Sequence, residues 1–548
     1  MAYQYPQAFY YLENFHQLLS WVQTRYEDLL DADEVAFLQD FQLLPMASQA
    51  LLVRMIMRKG EWFRESKLQY EEIGAVSDAA GPLLEKAWLQ SDDTLDFADF
   101  VQLITKPELV SCFTDLPFPK SARKEVIIEH LLEQEPAARP WSQWFGAKVD
   151  PLFTLTIRPI IDRLRLMYFG NLYQDLTEFV VTDLGLFKYE PVASPTASDR
   201  AFSCREDVDA YLEVWQLREK LEVCETQEDI CELIEQLPHR FDNPWLERRR
   251  GKLIYRLAYQ LERGGQLDTA YQLYEEISYP GARERQIRLL EKEKPQRAWQ
   301  LLKTALEAPT NEQEFQACQR IGKRLAKKLD ETAPTPTRVP SQTHLTTIQV
   351  APDSEIRVEE LARLYFHSEH QPAFNIENRL INSLFGLLFW PAVFAPIPGA
   401  FFHPFQAAPS DLGEPEFESA RQQIFDQQFN LLREGNYQAF ILDIYEEKQG
   451  TISPFVHWDG VDQSLLRLAM DCIPKGHLEV IFKRILFDIK ANRSGLPDLI
   501  QFFPQEENYR MIEIKGPGDR LQDNQLRWID WFERHNIPYL VCHVEWSS

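Results

Sequence analysis

The 548-residue sequence predicts a multidomain protein, mainly α-helical in its N-terminal and central regions, with a C-terminal α/β domain. Three observations carry this reading. Before residue 330, apolar residues recur at spacings of three and four almost throughout, the period of a buried helix face. A Thr/Pro-rich stretch, DETAPTPTRVPSQTHLTTIQVAPDSE, then interrupts the helices. Past it, segments of period two are mixed with helices, most clearly in residues 508–515, where Tyr509, Met511, Glu513 and Lys515 share one face of a strand and Arg510, Ile512 and Ile514 the other.

In chain order, ENFHQLLSWVQTRY, ALLVRMIMRKGEWF and EVIIEHLLEQ read as amphipathic helices, with Pro and Gly at the turns between them. From 205 to 330 the pattern becomes a succession of short helices with small residues at packing positions such as Ala258, Ala270 and Ala298, as in stacked helical hairpins. The Thr/Pro-rich stretch reads as a linker or extended excursion. In the last part, LIQFF, the turn PQEEN and YRMIEIK read as a hairpin. Gly516-Pro517-Gly518 breaks its second strand, and a helix is expected from near Asp519, with Leu521, Gln525, Trp528 and Phe532 on one stripe. Gln525 is the polar exception there, and a purely structural role for it is a buried amide that satisfies backbone groups.

Charge and composition exclude several classes. The seven cysteines are scattered and form neither CxxC nor a Cys/His cluster of zinc spacing, which fits a reduced cytosol. MAYQYPQAFYYLENF lacks the basic-then-apolar pattern of a secretion signal, and the apolar run Leu384 to Phe394 is too short to span a bilayer, so no membrane role is expected. The net charge of −26 does not exclude a nucleic-acid partner, because binding to phosphate follows the local potential. Between His239 and Arg263, seven Lys/Arg stand against three acids, either a phosphate-binding reversal of sign or a solvated helix face.

The hairpin brings Asp498, at the start of its first strand, near Glu513 and Lys515. Two carboxylates supply hard oxygen ligands for Mg²⁺ or Mn²⁺, and a neighbouring ammonium can position water or steady charge, which suits metal-assisted phosphodiester hydrolysis. The bland alternative is an exposed hairpin with a cross-strand ion pair. A third carboxylate adds weight: if FNIENRLINSLFGLLFW is helical throughout, Glu377 shares a stripe with Leu380, Ile381, Leu384 and Leu388, where an unpaired charge is costly unless a cation compensates it. A salt bridge from another element is the alternative. His367 and His370 lack a third nitrogen ligand and read as surface or packing residues.

GLPDLI, MIEIKGPGDRLQDNQLRWIDW and VCHVEW together resemble the virus-type replication-repair nuclease (VRR-NUC) domain of the PD-(D/E)XK superfamily, in the version found in the Fanconi-associated nuclease family. SKLQYEEIG, LTEFVVTDLGLF, RRRGKLIYRLAYQLE and NIENRLINSLFGLLFWPAVF extend the resemblance over most of the chain. The absence of an N-terminal ubiquitin-binding zinc finger fits a bacterial-type member. The resemblance implies a DNA-repair nuclease that cuts branched DNA at 5′ flaps and trims 5′→3′, including in interstrand-crosslink repair. It implies that Glu377, Asp498, Glu513 and the carbonyl of Ile514 hold Mg²⁺ or Mn²⁺ and that Lys515 is the catalytic lysine; Gln525, which points back toward the strand edge, is read as supporting them. It also implies a SAP-like module with phosphate contacts at Lys120, Arg123 and Lys124, and tetratricopeptide-like repeats open to other repair proteins. Arg250, Lys490 and Arg493 would gather the DNA end.

The boundaries expected are 1–80 for an N-terminal helical domain, 81–140 for the SAP-like module, 141–330 for the helical repeats, 331–352 for the linker and 353–548 for the nuclease domain. A cytoplasmic, nucleoid-associated bacterial enzyme is the expectation. The alternatives are a non-catalytic DNA-end-binding scaffold with a degenerate nuclease fold, and a helical protein adaptor, which the acidic balance would favour.

Overall fold

The computed structural model describes residues 8–113, 122–133, 137–145, 150–174, 188–192, 199–334, 344–353 and 355–547. The chain divides into two compact units, Met1–Phe187 and Lys188–Ser548.

The first unit opens on helices α1 (Tyr10–Tyr26), α2 (Ala32–Leu43) and α3 (Met46–Ile56). Asp31 and Glu34 form a reciprocal capping box that starts α2 and satisfies amide groups the helix itself leaves open. A three-stranded antiparallel sheet follows, with β5 (Leu152–Leu155) between β1 (Trp62–Arg64) and β2 (Leu89–Ser91). Helix α4 (Val76–Glu85) runs through residue 80, and β2 pairs within the same sheet as β1. A boundary at 80 would therefore cut a helix, and the smaller module begins at β3 (Thr94–Leu95). Its core packs Phe97 and Phe100 of α5 (Phe97–Leu103), Leu109 of α6 (Lys106–Cys112) and Ile127 and Leu131 of α7 (Lys124–Leu132) against Trp141 and Trp144. These tryptophans follow β4 (Arg139–Pro140), the partner of β3, so the module runs past residue 140. The chain then returns through β5 to the first sheet and to α8 (Arg158–Phe169), which packs on α1.

The second unit begins with helices α9 (Arg205–Val223), α10 (Gln227–Glu235), α11 (Pro244–Arg263), α12 (Leu267–Glu276), α13 (Ala282–Glu293), α14 (Pro295–Glu307) and α15 (Glu312–Leu329). Successive members from α11 to α15 pack on one another, and Ala258, Ala270 and Ala298 are fully buried, as close helix approach requires. Asn243 caps α11 ahead of Pro244, a proline placed where its missing N–H costs nothing.

The α/β domain is built on a five-stranded sheet of order β6-β10-β9-β8-β7. Strand β10 (Tyr539–Trp546) runs parallel to both β6 (Leu345–Val350) and β9 (Asn508–Lys515), whereas β8 (Leu499–Phe503) is antiparallel to β9 and β7 (Ala373–Asn375). The expected linker thus ends in a sheet strand: Thr346 and Ile348 pair with Cys542 and Val544. Tyr509 and Met511 face the main helical core, and Ile512 and Ile514 face a smaller cluster with Ala362 of α16 (Val358–Phe366). The period-two pattern therefore reports a strand covered on both sides.

The main core is dominated by α17 (Arg379–Leu388), whose residues from Leu380 to Leu388 are all buried. At Gly386 a Cβ would lie 2.6 Å from Phe455 Cβ, so only glycine permits this helix its approach to the neighbouring loop. The site's remaining supports are α18 (Lys475–Phe487), α19 (Ile489–Asn492) and α20 (Asp523–His535). The last begins four residues later than Asp519, because Gly516 N donates to Asp519 Oδ2 and closes a turn first.

Candidate active site

Asp498 stands immediately before β8, opposite the end of β9 that carries Glu513 and Lys515. Its backbone carbonyl accepts from Ile376 N at 2.9 Å and Glu377 N at 3.2 Å. Its side-chain Oδ2 accepts from Ile514 N at 2.8 Å. Glu513 and Lys515 are only 2% and 6% exposed, and Lys515 Nζ lies 2.8 Å from Glu513 Oε1. Gln525, on the first turn of α20, accepts from Lys515 Nζ at 2.9 Å and donates to Glu513 Oε1. Its Oε1 also accepts from Gln522 N, so one amide serves both the helix cap and the ion pair.

Burial pushes the Glu513 carboxyl up to about 7, with Asp498 adding to the rise and Lys515 and Gln525 opposing it. Burial likewise pushes Asp498 up to about 6; the Ile514 N–H and Lys515 oppose this, and Glu359 and Glu377 add to it. A buried and a half-buried acid whose carboxyls both sit above their ordinary values, one of them raised by the other, beside hydrogen-bond donors, fit a divalent cation, which would relieve the repulsion. Among the described residues, no three His, Cys, Asp or Glu side chains are gathered closely enough to form a ready metal cage. The tight part of the site is thus Asp498, Glu513, Lys515 and Gln525.

Glu377 is near this group, but not for the reason its sequence pattern gave. Asn378 adopts a left-handed conformation with φ of 64°, so α17 starts at Arg379 and Glu377 lies in the preceding turn, exposed. It is held by its backbone contact to Asp498 and needs no cation to compensate burial. Glu359, on α16, is an acidic neighbour of Asp498 that the sequence reading missed. No local pattern singles it out, because the sheet alone brings it there. His367 is exposed, and its Nδ1 accepts from Ala373 N.

The basic residues divide sharply. Arg250 is 5% exposed, donates to the Pro238 carbonyl at 2.7 Å and pairs with Glu247 and Glu276, so its guanidinium is held within the helical array. Lys252, two residues on, is exposed. Burial of part of its side chain and the repulsion of Arg218 lower its ammonium, with Lys490 and Arg256 acting the same way and Glu414 opposing. It is therefore Lys252 that the fold brings to Lys490. Glu414 lies 3.5 Å from Lys490 and 3.4 Å from Arg248. Arg493 is exposed. In the SAP-like module Arg123 is exposed, but Lys124 Nζ donates to the Val101 and Ile104 carbonyls at the end of α5. Lys120 lies outside the described residues.

Comparison with known proteins bears on this arrangement. Family models match at 9–90 (FAN1, HTH domain), 94–144 (Fanconi anemia-associated nuclease SAP domain) and 432–546 (VRR-NUC domain). A Fanconi-associated nuclease 1 homolog from Pseudomonas aeruginosa is 44% identical over 99% of this chain and 96% of its own. The chain belongs to the Fanconi-associated nuclease 1 family. Its fold agrees with crystal structures of paFAN1 bound to 2nt 5′flap DNA with gap and to 1nt 5′flap DNA with gap, at TM-scores of 0.85 and 0.84, with 44% identity and essentially full coverage of both chains. Within the Fanconi-associated nuclease 1 family, this chain is a metal-dependent nuclease with a SAP domain and a VRR-NUC domain. Among the described residues no helix is long and apolar enough to cross a membrane.

Proposed function

We propose that this nuclease is a 5′ flap endonuclease and 5′→3′ exonuclease of DNA repair, acting on branched DNA, including in interstrand-crosslink repair, in the bacterial cytoplasm. The observation that carries the chemistry is the buried Glu513, with half-buried Asp498 beside it and Lys515 against it. Asp498, Glu513, Glu377 and the Ile514 carbonyl would hold Mg²⁺ or Mn²⁺, whose hard-cation charge polarises a phosphate and makes water a better nucleophile. Lys515, steadied by Gln525, places a positive charge where negative charge grows during hydrolysis. Lys252 and Lys490, with Arg493, would supply local positive potential in an otherwise acidic chain and draw in the strand, and Arg123 would add a phosphate contact from the SAP domain. The likeness to structures holding short 5′ flaps supports this choice of substrate.

The deciding experiment is cleavage of a labelled 5′ flap, beside intact duplex and single strand, with Mg²⁺, with Mn²⁺ and with chelator. Divalent-ion-dependent incision of the flap is the expected result. Binding without incision under every condition would favour the scaffold reading.

A further inference from the structure

Glu312 opens α15, the last helix of the helical array, and is only 2% exposed. The proposed chemistry makes no use of it. Its carboxylate pairs with Arg484 of α18 at 2.8 Å and lies 3.9 Å from Arg527 of α20. Its backbone N donates to Asp488 Oδ2 at 3.0 Å, while Asp488 Oδ1 accepts from Ala491 N and so caps α19. Arg484 extends the contact: its guanidinium lies 5.0 Å from the ring centre of Trp531 on α20, and its carbonyl accepts from Asn492 Nδ2 of α19. One residue of the array thus meets three helices of the nuclease domain.

Those helices lead to the catalytic group. Gln525, which holds both Glu513 and Lys515, stands on α20 between Asp523 and Arg527. Arg320 of α15 reaches Asp523 at 3.4 Å, so α15 meets α20 on both sides of Gln525. The Arg320 pair is exposed on both partners and contributes little, which leaves the buried carboxylate of Glu312 as the firm contact. Trp528 Nε1, from the same helix, donates to the Ser494 carbonyl at 3.1 Å, on the segment that enters Asp498. A buried ion pair stabilises a fold little more than a well-packed apolar contact would, because desolvation offsets the attraction. Here it also fixes direction, since one carboxylate must satisfy guanidinium groups from two helices.

We infer that Glu312 is a positioning residue for the proposed hydrolysis, holding α18 and α20 to the helical array so that Gln525 keeps Glu513 and Lys515 aligned. It acts through Gln525 and touches no reacting atom. Misplacement by about 1 Å away from the chemistry can cost roughly 100-fold in rate, so such a hold is felt at the cut. The inference rests on the nuclease reading and goes beyond it.

Glu312→Gln keeps the shape and the backbone bond to Asp488 and removes the charge. At saturating flap it should lower kcat by about 10–100-fold, with flap affinity in chelator unchanged by anisotropy. Combined with Gln525→Ala it should add nothing: the double variant cuts no more slowly than Gln525→Ala alone, as residues acting in one unit do. Losses that multiply would overturn the inference, and so would weaker flap binding with kcat retained. Because removing one partner leaves buried cations uncompensated and lowers stability, Arg527→Gln, at a half-buried position, provides a second variant. It should show a smaller loss of kcat and the same indifference to Gln525→Ala; full activity in Arg527→Gln would count against the hold on α20. Hydrogen exchange on the protein without DNA gives a further arm. Amides in the first turn of α20 should exchange faster in Glu312→Gln, with those of α14 unchanged, and equal exchange in α20 would overturn the inference. That arm needs no cleavage, so failure of the wild type to cut would sink the nuclease reading while leaving the role of Glu312 decidable.

Discussion

Asp498 and Glu513 show at the residue scale how activity is set against stability. Both carboxyls titrate above their ordinary values, at about 6 and about 7, so the folded chain binds protons the unfolded chain has already released. Their stabilising contribution is full below the ordinary carboxylate range and is lost as pH rises through those raised values. Asp498→Asn should therefore abolish cleavage yet raise the melting temperature of chelator-treated protein by a few degrees at about pH 8, with the gap closing at about pH 5. Thermal melts across that range check this, and a less stable variant at the higher pH would mean that the carboxylate's bond to Ile514 N outweighs the repulsion. Glu377 should behave differently, because it is exposed. Glu377→Gln should change stability by no more than the about ±0.5 kcal/mol usual for surface changes while cutting flap cleavage by at least tenfold. A fall in stability with activity retained would return Glu377 to a structural role.

At the scale of elements, the sequence was most legible where a single period holds. The alternation in β9 located Glu513 and Lys515 on one face, and the small residues of the helical array are buried as expected. It misled where a helix boundary decided the matter. Asn378, in the left-handed region, starts α17 two residues after Glu377, and nothing in FNIENRLINSLFG marks that stop as a Pro or Gly would. Arg250 shows the opposite case, an expected DNA contact that the structure places on a buried helix face. Leu246, Arg250, Leu253, Leu257 and Leu261 share the buried stripe of α11, a pattern visible in the sequence that argues against an open DNA contact there. Arg250→Ala should accordingly lower stability by about 1–3 kcal/mol, the cost of leaving buried partners unsatisfied. It should not change the preference for a 5′-phosphorylated over a 5′-hydroxyl flap, whereas Lys252→Ala with Lys490→Ala should reduce it. Melting curves and competition cleavage separate the two effects. The linker could not be delimited because β6 acquires its strand character only from pairing with β10, nearly two hundred residues away.

Over the whole molecule, the net charge of −26 coexists with nucleic-acid chemistry because acids are used locally as counter-ions. Glu414 sits between Lys490 and Arg248, where the proposed DNA contacts would bring a phosphate. Glu414→Gln should tighten binding to flap and to plain duplex together, raising affinity at low salt and steepening the salt dependence by up to about one unit of log–log slope. Anisotropy titrations at several salt concentrations read both, and unchanged affinity would show that this carboxylate does not compete with DNA.

Strand β10 lies between β6 and β9 although it follows both in the chain. During synthesis the nuclease sheet consequently has a gap at its middle, and β9, with Glu513 and Lys515 on it, is an unprotected edge until the residues from Tyr539 onward leave the ribosome. The proposed catalytic pocket is therefore not complete until β10 has been made. Chains stopped before Tyr539 would carry the proposed cutting residues on an unfinished sheet and should be inert on flap DNA.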